Sequence, residues 1–237
     1  MAMAVMTQQS NSSIQKLGVA EAYDICAEAY MTLFSMNPST TRSNWTNGLA
    51  SSLAPGSQVL EIGCGSGLMT VPFIEQGCEV TAVDISAAQI ALAQKLIPSA
   101  TLMHSDMMAL EFEPESFDAV SAIYAIPHLP LEEQGVMLER SAGWLKPGGV
   151  LVLNFPAEVS QEKDDIIDFL GMHMYWKSTG VEGTRKLMEE HAMGLRVVQE
   201  ELAGDPLPED HENGLSNGGI DMFHWIKAVK EGAPGKN

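Results

Sequence analysis

One nine-residue stretch concentrates the chemistry of this 237-residue chain. Val59-Leu60-Glu61-Ile62-Gly63-Cys64-Gly65-Ser66-Gly67 sets an acid, a small thiol and three alternating glycines at the end of a short apolar segment. Glycine removes the side chain where a ligand must lie against backbone, and it allows the dihedrals of a tight turn. A helix that starts after such a loop presents free N–H groups to the same ligand. Glu61, Gly63, Cys64, Gly65 and Gly67 are therefore candidate binding positions. Asp84 closes a second apolar segment, 21 residues beyond Gly63, where a carboxylate can accept both hydroxyls of a ribose. Two histidines have the side chain suited to accept a proton near neutral pH. His128 follows a third apolar segment, between Pro127 and Pro130, and His173 lies in the crowded run Met172-His173-Met174-Tyr175-Trp176.

These residues need a frame. Apolar residues at helical spacing (Ala22, Ile25, Cys26, Ala29, Tyr30, Leu33) predict an amphipathic helix over Val19–Phe34. Pro38 ends it, and Ser39-Thr40-Thr41 can cap a second helix, Arg42–Leu53, with Trp45 and Leu49 inward. The core then reads as strand Gln58–Ile62, helix Leu68–Gln76, strand Glu79–Val83, helix Ala87–Leu96 behind the cap Ser86, and strand Ala100–Met103. Strand Phe117–Ala125, helix Leu131–Trp144 with Val136, Leu138 and Leu145 on one side, and strand Val150–Phe155 complete it. Parallel strands joined by helices make a Rossmann-like, doubly wound α/β sheet. Beyond it the pattern predicts helices over Gln161–Leu170 and Gly183–His191, strands over Leu195–Leu202 and Met222–Val229, and a surface loop over Asp205–Gly219. Residues 1–18 read as a flexible tail and 19–237 as one domain: a helical cover (19–54), a binding core (55–156) and substrate-side elements (157–237).

Composition narrows the function. A formal net charge of -18 disfavours nucleic-acid partners, because a phosphate backbone needs a basic stripe. No run of apolar residues is long enough to cross a membrane, and no basic-then-apolar leader opens the chain. Cys26, Cys64 and Cys78 are widely spaced without a Cys-x-x-Cys pair, so they form neither a disulfide framework nor a zinc site. That usage fits a reducing, cytoplasmic compartment, and no metal is expected.

The glycine loop, with Leu68 where a dinucleotide fingerprint has its third glycine, resembles motif I of the class I S-adenosylmethionine-dependent methyltransferases. Phe117-Asp118-Ala119-Val120 and Leu145-Lys146-Pro147-Gly148-Gly149 resemble that family's fourth-strand motif and its turn before the fifth strand. The resemblance implies a seven-stranded, mostly parallel sheet whose last strand, here Phe223-His224-Trp225-Ile226-Lys227, is antiparallel. It implies that S-adenosylmethionine is bound by the glycine loop, Asp84 and Ile85, with Asp106 at the adenine amino group, Met107 beside it and Tyr124 at the sulfonium. The implied reaction is in-line methyl transfer to oxygen or nitrogen of a small molecule, releasing S-adenosylhomocysteine, with His128 or His173 as base where the acceptor needs one, and Tyr30, Met174 and Trp176 on the acceptor side. A cyclase or isomerase using the same cofactor on the same fold is the alternative. Monomer and homodimer both stay open.

Overall fold

The computed structural model describes residues 2–36, 39–160, 166–206 and 220–232. Two helices lead, α1 (Ala2–Met36) and α2 (Thr40–Ser51). There follow β1 (Gln58–Ile62), α3 (Val71–Glu75), β2 (Glu79–Asp84), α4 (Ala87–Leu96), β3 (Thr101–His104), β4 (Phe117–Ala122), α5 (Leu131–Trp144) and β5 (Leu145–Pro156). A hairpin of β6 (Ile166–Phe169) and β7 (Met172–Tyr175), helix α6 (Gly180–His191), β8 (Leu195–Pro206) and β9 (Ile220–Lys230) complete the chain. Seven strands form one sheet in the order β3-β2-β1-β4-β5-β9-β8. The pairings from β3 through β5 are parallel, and β9 runs against both β5 and β8. The expected doubly wound sheet with a reversed last strand is the one found.

Strand alternation explains the layers. Leu60 and Ile62 join Met137, Leu138 and Trp144 of α5 in one core, while Val59 packs with Trp45 and Leu49 of α2 and Phe73 of α3 in the other. By the two-residue period, Glu61 shares the Val59 side. Burying each such aliphatic side chain stabilises the fold by about 1.5–3 kcal/mol. Asp118 ties the strands at their far end, where one carboxylate oxygen accepts the Gln58 N–H and the Lys146 ammonium, both at 2.8 Å. The two family-like motifs that contain Asp118 and Lys146 are thus structural. The chain runs outward from β1 through β2 to β3, then crosses back to β4. That reversal opens a crevice at the C-terminal ends of β1 and β4, where open α/β sheets bind ligands.

Several local expectations change. The first 18 residues, read as a tail, are helical from Ala2; the stretch contains no proline, and Lys16 anchors its end through ion pairs to Asp106 and Glu133. On α1 the buried stripe is Val19, Ala22, Cys26 and Ala27, with Ile25 turned to solvent, because Ala22 and Cys26 pack on Met174 of the hairpin. On α5 Val136 is outward too. The helix after the glycine loop shrinks to α3, with Leu68–Thr70 in a turn that leads into Pro72. Where a helix was expected over Gln161–Leu170, Ile166–Phe169 is a strand; the rest of that span, 161–165, lies outside the described residues. Leu170 (φ 51°) and Gly171 (φ 72°) carry successive positive φ angles between two paired strands, the pattern of a two-residue type I′ hairpin turn. Asp205 and Pro206 extend β8, whereas Pro38 and 207–219 lie outside the described residues.

Candidate active site

Two cavities abut at the crevice and share Tyr30, Gly63, Gly65, Ile123 and Tyr124. The first is lined by Asp84, Ile85, Gln89, Asp106, Met107, Tyr23 and His128. The second is lined by Glu61, Cys64, Ser66, Arg42, Phe34 and Met69. One elongated ligand could lie across both, over the glycine loop.

The three glycines do three different jobs. A Cβ on Gly65 would lie in ordinary contact, 3.8 Å, with Gln89 and with Tyr30, which line the same cavity, so its absence keeps the floor clear. Gly63, at φ +73°, lets the loop pass the segment after β4, because a Cβ there would lie 2.7 Å from that of Ala125. Gly67 lines neither cavity, and a Cβ there would collide with the Ile97 side chain at 2.9 Å. Its expected ligand contact gives way to a packing role. Gly63→Ala combines left-handed strain with overpacking, and should destabilise the protein by about 2–5 kcal/mol in urea unfolding.

Asp84 sits at the C-terminal end of β2. One oxygen accepts the Gly65 N–H at 2.8 Å and the other the Ser86 N–H at 2.9 Å. A carboxylate offers about four lone-pair sites, more than these backbone donors use, which leaves room for a ligand's hydroxyl. Burial pushes its pKa up, against the pull of those backbone donors. Gln89, at the start of α4, is fully buried beside it with neither amide atom hydrogen-bonded. Asp106 caps the short turn Met107–Ala109 by accepting the Met108 N–H at 2.9 Å, and its other oxygen takes the Lys16 ammonium at 3.0 Å.

Glu61 lines the second cavity and accepts a hydrogen bond from the Thr70 hydroxyl. Burial raises its pKa to about 8. The native state therefore keeps a proton that the unfolded chain loses above its ordinary carboxyl range, and stability falls as pH rises from about 4.5 to about 8. The shift corresponds to about 5 kcal/mol over that window. Glu61→Gln cannot titrate. It should flatten the fall in melting temperature between pH 5 and pH 8.5, and at pH 8.5 melt above the parent. Burial, with Asp84 and Glu61 nearby, pushes the Cys64 thiol well above its usual pKa, which makes it space-filling and not nucleophilic.

The histidines part company. His128, nearly buried, lines the first cavity. Its Nδ1 lies 2.8 Å from the Tyr175 carbonyl, which can only accept, so Nδ1 carries the proton. Its Nε2 is left with a lone pair that accepts the Tyr23 hydroxyl at 3.0 Å. Burial lowers the imidazole pKa to about 4. His173 is exposed on β7 and lines neither cavity. The outward-facing register of the hairpin, opposite Asp168, removes it from the site. Met174, expected on the acceptor side, is buried against α1 and lines neither cavity. Trp176 stands edge-on to His128 at 4.6 Å, behind the cavity wall. Tyr30 lines both cavities, and Tyr124 does so with a strained φ of 56° while its N–H donates to Asn154 Oδ1 at 2.7 Å. Such strain in a bulky residue is a mark of functional sites.

Sequence reasoning missed Arg42, Gln89 and Lys16. Arg42 is buried, with its guanidinium 4.2 Å from the Phe34 ring centre. Among the described residues it is the one cation lining the second cavity. Its signal was a lone arginine on the inward turn of a capped helix, visible only once that helix is seated beside β1.

Residues 59–149 match the model of a methyltransferase domain family. The ubiquinone biosynthesis O-methyltransferase of Rhodopseudomonas palustris strain TIE-1 is 30% identical over 169 residues, 67% of this chain and 65% of that protein. The chain thus spans a little under two thirds of that relative's length. The 1,6-didemethyltoxoflavin-N1-methyltransferase of Burkholderia thailandensis, solved with 1,6-didemethyltoxoflavin and S-adenosylhomocysteine, superposes with a TM-score of 0.67 at 16% identity, covering 93% of this chain and 91% of that one. The cyclase SpnF superposes with a TM-score of 0.65 at 16% identity, over 91% and 96%. Matched sequence in the core and matched fold over nearly the whole chain agree: residues 59–149 are a methyltransferase domain, set in a chain with the fold of the class I S-adenosylmethionine-dependent methyltransferases.

Proposed function

We propose that this chain transfers a methyl group from S-adenosylmethionine to oxygen or nitrogen of a small aromatic molecule. The observation that carries the reading is the pair of abutting cavities, each with the polar groups one half of an adenosyl amino acid requires. Asp84 has spare lone pairs for ribose hydroxyls, and Gln89 brings an unbonded amide to the same wall. Asp106 and Met107 suit the adenine edge. Glu61 suits the ammonium and Arg42 the carboxylate, as complementary charges should in so enclosed a place. When bound, the cofactor supplies a methyl carbon already activated by its sulfonium.

The rest falls to the chain's own residues: to align, to exclude water and to manage one proton. Alignment alone can supply about 7–11 kcal/mol. Tyr30 and Phe34, which line the second cavity, cluster with Phe169, and Tyr124 meets Phe223 edge-on at 4.8 Å. Flat apolar walls of this kind favour a flat ring. An acceptor hydroxyl must shed its proton, and His128 is the base.

Calorimetric titration with S-adenosylhomocysteine, followed by incubation of S-adenosylmethionine with catechols, hydroquinones and nitrogen heterocycles, tests the reading. Micromolar binding and stoichiometric S-adenosylhomocysteine release are expected. Indifference to the nucleoside at millimolar concentration, or preference for NAD, would overturn it. Below pH 8 binding should expel a proton from Glu61, seen as a buffer-dependent heat. The fold shared with SpnF keeps a non-methylating cyclase as the second reading, marked by product without S-adenosylhomocysteine. The partner is a small molecule, since a net charge of -18 repels phosphate backbones. No helix among the described residues is long and apolar enough to cross a membrane. The three free, buried cysteines support the cytoplasm as the working compartment.

A further inference from the structure

We infer that Tyr23 is the group that meets the acceptor's hydroxyl, and that it passes the proton to His128 behind it; this rests on the methyl-transfer reading above. The imidazole cannot reach an acceptor directly. Its Nδ1 is taken by the Tyr175 carbonyl at 2.8 Å, its Nε2 by the Tyr23 hydroxyl at 3.0 Å, and Trp176 covers its flank edge-on at 4.6 Å. Tyr23 lines the same cavity as Asp84, Tyr124 and the glycine loop. Its ring is braced edge-on by His128 at 5.4 Å and by Tyr30 at 5.7 Å. The phenol oxygen keeps a free lone pair while its proton is committed to Nε2. It is thus both an acceptor toward the cavity and a donor toward the base.

The balance is simple. The acceptor's O–H bond breaks as its O–CH3 bond forms and the cofactor's S–CH3 bond breaks. The acceptor's proton goes to the Tyr23 oxygen, and the Tyr23 proton goes to His128 Nε2. The resulting imidazolium has one N–H on the Tyr175 carbonyl and the other on the Tyr23 oxygen. Positive charge passes from sulfonium to imidazolium, so the net charge of the site does not change. That conservation lets a buried, neutral imidazole serve as proton sink without an uncompensated charge.

Two readouts test this. Nitrogen-15 NMR of the protein with S-adenosylhomocysteine bound should show His128 with a protonated Nδ1 and a hydrogen-bonded, unprotonated Nε2. Tyr23→Phe should move the Nε2 signal toward that of a bare nitrogen; no movement, or a proton on Nε2, overturns the relay. With catechol as acceptor, turnover of the parent in mixed light and heavy water should give a curved dependence, two protons being in flight. Tyr23→Phe should turn over about 10²-fold more slowly with KM within threefold, and its dependence should become linear. Turnover within threefold of the parent, with an unchanged isotope curve, sinks the relay and leaves methyl transfer standing. If Tyr23→Phe does not bind S-adenosylhomocysteine, 3-fluorotyrosine at position 23 replaces it; an isotope curve and rate unaltered by the more acidic phenol overturn the relay in the same way. Should the parent bind S-adenosylhomocysteine yet produce none from catechol or hydroquinone, the hydroxyl-acceptor reading falls and takes the relay with it.

Discussion

His128→Asn should lower kcat by about 10²–10⁴-fold while leaving the affinity for S-adenosylhomocysteine within a few-fold. The asparagine can still reach the Tyr175 carbonyl, but it offers no basic lone pair to Tyr23. The pH profile is the sharper check. An imidazole held near 4 by burial is unprotonated throughout the neutral range, so the acid limb of kcat/KM should fall near pH 4, not near the roughly 6.5 of an exposed histidine. The same shift has a stability sign. The native state binds fewer protons than the unfolded chain between about pH 6.5 and pH 4, so stability is full above that window and is lost as the solution is acidified through it. The loss corresponds to about 3 kcal/mol, and His128→Asn should abolish that part of the acid slope. An acid limb near pH 6.5, or turnover unchanged in the variant, would remove His128 from the chemistry.

Asp84→Ala should weaken S-adenosylhomocysteine binding by about 10²–10³-fold, roughly 3–4 kcal/mol by calorimetry. In the proposed placement two charge-assisted hydrogen bonds to the ribose would go, and the Gly65 N–H loses the partner that sets the loop. Asp84→Asn keeps the shape but carries one donor where both hydroxyls and the backbone also donate, so a loss of about 10-fold or more is expected. Stability should move the other way. Burial raises the carboxyl pKa in the native state, so its ionised form weakens the fold at neutral pH. Asp84→Asn cannot titrate, so its melting temperature should fall less than the parent's as pH rises to 7.5. Together with Glu61→Gln, this separates binding from stability: both carboxylates are held at a cost to the fold that only a ligand repays. Binding within threefold of the parent in Asp84→Ala would show that the ribose is not where the end of β2 points.

Some positions are legible in the residues alone and others are not. Local interactions set the strand ends and caps, so Ser39 and Ser86 were readable as caps, and each accepts the N–H three residues on. Asp84 and the glycine loop were readable as a candidate site because a ligand pressed on backbone would constrain sequence over a few contiguous positions. The β6–β7 hairpin was not, since acidic residues around Ile166 and Ile167 mimic a solvated helix face until the Leu170-Gly171 turn is recognised. Gly67 and Gly63 look alike in sequence, and only Ile97 and Ala125, distant in the chain, distinguish packing from close approach.

Residue order was enough to specify the sheet, the strand–loop–helix proposed to bear the cofactor and the carboxylates at its strand ends, because alternation and glycine chemistry are short-range. Packing between distant segments settled the rest: which histidine enters the cavity, that Arg42 and Gln89 join it, and that Tyr23 stands before His128. Those are contacts across α1, α2, α4 and the hairpin, and their geometry depends on how the helices seat on the sheet. A side chain's neighbours across such seams leave no periodic trace along the chain.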